Sequence, residues 1–135
     1  MSHENTAQAV IHECTRLALA GSIDFGSVVR RLIEVGVESY WVDYRRGETT
    51  YYLPADATFT LPLAGPDTAI ADHFDAGAVQ AAVRGAQSGK VHYPEFLQLT
   101  RQAGCVGYMV WISGRHVQYY GRRGEVHTEH FPPAP

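Results

Sequence analysis

Cysteine and histidine stand eleven residues apart in AGCVGYMVWISGRHVQYY, the stretch from Ala103 to Tyr120. A thiol beside an imidazole is a nucleophile with a base, provided the two come within hydrogen-bond reach. Pairing the two arms of this stretch as a hairpin puts His116 near the tip and Cys105 at the far end of the partner strand. Each residue between them adds ~3.3 Å, so the pair is expected to stay apart. Near the C-terminus, HTEHF (His127 to Phe131) offers imidazole and carboxylate ligands. Alternation along a strand puts His127 and Glu129 on one face and His130 on the other, which leaves a zinc or iron site short of a third ligand. Cys105, His116, His127 and Glu129 therefore form an alternative site, metal-dependent or hydrolytic, behind a reading with no catalytic residue, no bound metal and no cofactor.

Other chemistries are excluded by spacing. The run RGAQSGKVHYPEF has Gly89 and Glu95 where a calcium loop needs them, but Arg84, Ala86 and Ser88 occupy the early ligand positions. Asp72, His73 and Asp75 read as a loop and a helix start. Arg45, Arg46, Arg115, Arg122 and Arg123 cluster near turns and could hold phosphate, although solvated turns explain them as well. No dinucleotide fingerprint, phosphate loop, nucleophile elbow or HExxH motif is present.

Composition sets further bounds. The 135 residues suit a single domain, 45% are hydrophobic and 19% charged, and the formal net charge is −3. That charge offers no general attraction to nucleic acid or to an anionic membrane. No run approaches the ~20 apolar residues of a membrane span. The start, MSHENTAQAV, lacks the basic and apolar regions of a secretory signal, so a cytoplasmic location is expected. Two cysteines, Cys14 and Cys105, make no disulfide framework.

The elements that position these residues come from a repeat. VGVESYWVDYRRGETTYY, from Val35 to Tyr52, aligns without a gap to AGCVGYMVWISGRHVQYY at an offset of 68 residues. Gly36 meets Gly104, Tyr40 meets Tyr108, and Tyr51 and Tyr52 meet Tyr119 and Tyr120. Two repeats, about 1–67 and 68–135, would fill the chain as one domain, with a short disordered tail from Pro132 to Pro135. Shared β-propensity is the competing explanation. Each half reads as two helices followed by strands. Ala7–Ala20 opens with Asn5 as a start cap, and Asp24 caps a second helix to about Glu34. Asp75–Gln87 is followed by a helix with Pro94 in its first turn, ending near Gln102. Hairpins turn at Arg46-Gly47 and Gly114-Arg115, where glycine is expected to supply the positive φ. Extended runs Thr58–Leu63 and Glu125–Phe131 complete the halves. The fold class is α+β, an internal duplication of an α-α-β-β(-β) unit, with helices on one face of antiparallel sheet.

Strand alternation places Tyr40, Val42, Tyr44, Tyr51 and Leu53, and likewise Tyr108, Val110, Ile112, Val117 and Tyr119, on the face that meets the helices. The opposite face carries Trp41, Asp43, Thr50, Tyr52, Met109, Trp111, Gln118 and Tyr120. Its aromatic residues and methionine fit a homodimer interface, a ligand groove, or burial between two packed sheets. Trp41, Tyr52, Met109, Trp111 and Tyr120 are the candidate binding residues. The fold allows a further alternative, a small-ligand pocket between the repeats.

GVESYWVDY, GKVHYPEF and AGCVGYMVW, together with GEVHTEHFP, resemble a family of small bacterial and prophage proteins of unknown function. These are often labelled phage envelope proteins and include the YbcV-like proteins. The family's Gly-Cys followed by an aromatic strand falls on Gly104 and Cys105. Its paired aromatics fall on Tyr119 and Tyr120, and its Glu-x-aliphatic-Pro on Glu129, Phe131 and Pro132. Tyr108 stands where the pattern has Trp, and Tyr93 where it has Thr. The resemblance implies no activity, cofactor or catalytic residue. The function expected is that of an uncharacterised cytoplasmic binding or accessory module, dimeric and not enzymatic, without nucleic acid or membrane as partner.

Overall fold

The computed structural model describes residues 3–65 and 67–132. Of the expected tail from Pro132 to Pro135, residues 133–135 lie outside the described residues. Four helices pack on one face of a single six-stranded antiparallel sheet. The helices are α1 (His3–Leu19), α2 (Phe25–Glu34), α3 (Ala76–Gln87) and α4 (Tyr93–Gln102). The strands are β1 (Ser39–Asp43), β2 (Glu48–Tyr52), β3 (Thr58–Pro62), β4 (Cys105–Trp111), β5 (His116–Gly121) and β6 (Val126–His130). Their order across the sheet is β3-β2-β1-β4-β5-β6. Both sequence segments therefore share one sheet, which removes burial between two packed sheets as an account of the aromatic second face.

Local chemistry explains the element ends. Asp24 accepts a bond from Ser27 N at 2.7 Å and Asp75 one from Ala78 N at 3.0 Å, so α2 and α3 each begin on a carboxylate cap. Pro94 sits in the first turn of α4, where its missing N–H costs nothing. α1 starts at His3, so Asn5 lies inside the helix and not at its start. Gly21, Gly36, Gly89 and Gly104 all adopt positive φ where a helix stops. At the second hairpin the positive φ belongs to Arg115 (58°), not to the glycine before it, whereas the first hairpin places it on Gly47 (67°).

The offset of 68 runs through the backbone. It carries the bounds of α2 onto α4 and those of β3 onto β6. It also carries the β1–β2 register, Tyr40↔Tyr51, onto the β4–β5 register, Tyr108↔Tyr119. Thr50↔Thr60 becomes Gln118↔Thr128 in the outer pairs. At the sheet centre Tyr40 faces Val110, Val42 faces Tyr108, and Trp41 faces Met109, its own counterpart. The register is thus the same on either side of the Trp41–Met109 pair.

The face assignments hold. Tyr40, Val42, Tyr44, Tyr51, Leu53, Tyr108, Val110, Ile112, Val117 and Tyr119 are all buried, together with Ile11, Leu32, Val79 and Leu97 from the four helices. Phe96 of α4 sets its ring edge-on to Tyr108 and Tyr119 at 6.2 and 6.1 Å, and Tyr44 Oη lies 2.7 Å from Thr100 Oγ1. No described helix is long and apolar enough to cross a membrane.

Candidate functional site

Helices cover the tyrosine face incompletely. A cavity of about 750 Å³ lies between the helix layer and the sheet, lined by residues from all four helices and from both halves of the sheet. Tyr40, Tyr51, Tyr108 and Tyr119 contribute to its lining. Their rings pair across strands, Tyr40 with Tyr51 at 5.2 Å and Tyr108 with Tyr119 at 5.4 Å between centroids. Cys14, Thr15 and Ala18 line it from α1, and Val83 and Ala86 from α3. Phe25 at the start of α2 meets Phe131 beyond β6 edge-on at 5.6 Å, and both lie in the lining.

Desolvation dominates the acid–base behaviour of this floor. Burial raises the Tyr40, Tyr108 and Tyr119 hydroxyls well above the ordinary phenol range, and Tyr51 and Tyr93 also move up. All stay protonated at neutral pH and can donate hydrogen bonds. Tyr93 Oη lies 2.7 Å from Tyr108 Oη, which fixes both.

Among the charged residues of the lining, which include Asp24 and Arg30, Glu129 sits in a compact group. Glu129 Oε1 accepts from Arg84 Nη1 at 2.8 Å, and its Oε2 lies 2.6 Å from His127 Nε2. Desolvation opposes ionisation of Glu129, but Arg84 and His127 outweigh it and hold the carboxyl below its usual value. Its folded pKa lies below its unfolded one. The contribution to stability is therefore present above the unfolded carboxyl pKa and lost as pH falls through the folded value. Thermal unfolding followed from neutral pH to below pH ~4 should show an acid-side fall in Tm that is shallower in Glu129→Gln. Equal slopes for the two proteins would remove this role.

The alternative site does not assemble. Cys105 is fully buried at the start of β4, opposite Gly121, while His116 pairs with Trp111 at the other end of that strand. Burial pushes the Cys105 thiol up to about 12, so it carries little thiolate at neutral pH. His127 and Glu129 do converge, as their shared strand face requires, and His116 and His130 lie ring to ring at 6.0 Å elsewhere on β5 and β6. Among the described residues no group of three or more His, Cys, Asp or Glu could hold a metal ion. Arg84, from α3 and 45 residues before Glu129, completes the charged group and was not paired with it by any sequence pattern.

The aromatic second face lies open on the side of the sheet away from the helices. Trp41 and Tyr120 meet edge-to-face at 5.8 Å, and Trp111 Nε1 and Tyr120 Oη both donate to Gln118 Oε1, at 2.8 and 2.9 Å. Trp111 is 39% and Tyr52 38% exposed, while Trp41 and Met109 are half-buried at the central strand pair. Trp41, Met109, Trp111 and Tyr120 also line a shallow depression of about 450 Å³ with Arg45 and Arg122. Arg122 is already tied to the Ile70 and Ala71 carbonyls. The five candidate residues thus share one surface, separated from the tyrosine-lined cavity by the thickness of the sheet.

A family model for a protein of unknown function, DUF1398, matches residues 8–130. The chain belongs to the DUF1398 family. The match spans both halves, from α1 to the end of β6. No curated protein matches the sequence. For this DUF1398 protein the functional argument rests on the two surfaces, and the cavity is the more enclosed of them.

Proposed function

We propose that this DUF1398 protein is a binding module that holds a small, largely apolar molecule in the cavity between its helices and its sheet. The observation that carries the reading is the cavity itself. Its volume falls within the roughly 300–1,000 Å³ of small-ligand sites, and it combines apolar walls with a few polar groups. The two halves are read as a duplication, supported by the common offset and register, and the cavity lies where duplicated helix pairs meet. Cytoplasmic location and prophage origin are kept as parts of this proposal. Titration with the neutral fluorescent probe N-phenyl-1-naphthylamine, with native mass spectrometry of the purified protein, tests it. Saturable one-to-one binding is expected; a protein that shows no saturable binding and carries no ligand would overturn it.

A second reading concerns a partner. Trp111 and Tyr52 remain well exposed on a sheet face that also carries Trp41, Met109 and Tyr120. That composition favours self-association through the open face, with a second copy as occupant. Sedimentation velocity should then show a dimer that Trp111→Glu shifts to monomer. A wild-type monomer at all concentrations sinks this reading and leaves the cavity untouched.

A further inference from the structure

The accessible part of the cavity wall is aliphatic. Val28, Leu61, Leu63, Ala86 and Val91 line it and are only half-buried, so each keeps apolar surface that the fold itself does not cover. The rings of Tyr40, Tyr51, Tyr108 and Tyr119, in contrast, are at most 8% exposed. A hydrocarbon chain laid along the aliphatic side chains would leave water and cover that surface together, which is the main driving force in such a site.

The charges of the lining are not balanced. Glu129 is held by Arg84 and His127. Asp24 accepts from Ser27 N at the start of α2. That bond does most to hold its carboxyl below the usual value, and Arg30 does least. His92 and His130 also line the cavity and bring no negative charge. Arg31 pairs with Glu13, Arg46 with Glu48 and Arg84 with Glu129, but Arg30 makes no ion pair among the described residues.

Arg30 is also placed for a ligand. Its Nη2 donates to Ser27 Oγ at 3.0 Å, which turns the guanidinium back toward the start of α2. There Asp24, Phe25 and Gly26 line the cavity, as Arg30 itself does. Arg30 is exposed, so its charge sits at the rim and not beneath the helices. A guanidinium carries five N–H donors in a planar fork that matches a carboxylate, and the bond to Ser27 uses one. The cation belongs to one half alone, because the offset of 68 carries Arg30 onto Gln98. We infer that the ligand is a monoanionic amphiphile, with a carboxylate that meets Arg30 at the rim and a hydrocarbon chain along the aliphatic wall.

This inference rests on the proposed cavity function, and its test lets the two fail separately. Decanoate and 1-decanol share a chain length and differ in the charged head. Their affinities are measured by calorimetry for the wild type, Arg30→Gln and Arg31→Gln. Arg31 is the control, since it pairs with Glu13 and its loss changes the net charge equally without touching the cavity lining. Binding of 1-decanol reports an intact cavity in each variant. Arg30→Gln should lower the decanoate-to-decanol affinity ratio about threefold to tenfold, and Arg31→Gln should leave it unchanged. An unchanged ratio in Arg30→Gln, or an equal fall in Arg31→Gln, overturns the inference while cavity binding stands. A wild type that binds 1-decanol and not decanoate does the same. If neither compound binds the wild type, the cavity reading fails and this inference falls with it.

Discussion

Gly104→Ala is expected to destabilise the protein by about 3 kcal/mol or more, at the upper end of single-substitution effects. Gly104 has φ +86°, a conformation that costs an L-residue roughly 1–2 kcal/mol. An added Cβ would also stand 2.2 Å from the His73 carbonyl oxygen and 2.9 Å from Phe74 Cα. Both are backbone atoms, so no side chain can swing aside. The segment that must move is tied to the end of α4 by Ala71 N to Arg101 O and Asp75 N to Ala103 O, at 3.0 and 2.8 Å. Those bonds set the start of α3 against the end of α4. Gly47→Ala separates the two causes, because Gly47 also has positive φ but its Cβ would meet nothing within 4 Å. It should cost only the conformational part, about 1 kcal/mol. Thermal denaturation of both variants checks this, and similar Tm values for the two would remove the steric argument.

Ala18→Trp should abolish probe binding, by about tenfold or more, with little loss of stability. Ala18 lines the cavity from α1 and is half-buried, so a larger side chain there has empty space to enter. The change costs about half a kcal/mol in helix propensity. Burial of indole surface at ~25 cal/mol per Å² offsets that. N-phenyl-1-naphthylamine fluorescence and a thermal melt of the same sample distinguish a blocked cavity from an unfolded protein. Undiminished binding by a folded Ala18→Trp would place the probe elsewhere.

Much of the backbone was legible from residue spacing. Gly36 and Gly104, with the tyrosine pairs that follow them, marked the offset, because only certain residues suit helix stops and cross-strand aromatic positions. Alternation then separated the tyrosine face from the tryptophan face, since a strand has a period of two whatever covers it. The cavity was legible only as a general consequence of two halves meeting. Periodicity says which face turns from water; it does not say how far away the covering layer stands. Ala18, Val83 and Ala86 line the cavity, yet as small or branched residues they read equally well as close packing. The Arg84–Glu129 pair escaped for another reason, as its members come from α3 and β6 and no local pattern joins them. At the second hairpin the glycine signal misplaced the strained residue by one, onto Gly114 instead of Arg115.

The pairing of β1 with β4 about Trp41 and Met109 has a consequence for ancestry. A strand whose central register reads the same in both directions can pair with a copy of itself. On the duplication reading proposed above, a gene encoding one half would have specified a homodimer with this same six-stranded sheet, formed only at sufficient protein concentration. Fusing two such genes makes the encounter intramolecular, at an effective concentration set by the connecting segment. It also frees each copy to mutate alone. On that reading, Thr15 against Val83 and Phe25 against Tyr93, which differ across the 68-residue offset, are changes acquired after fusion.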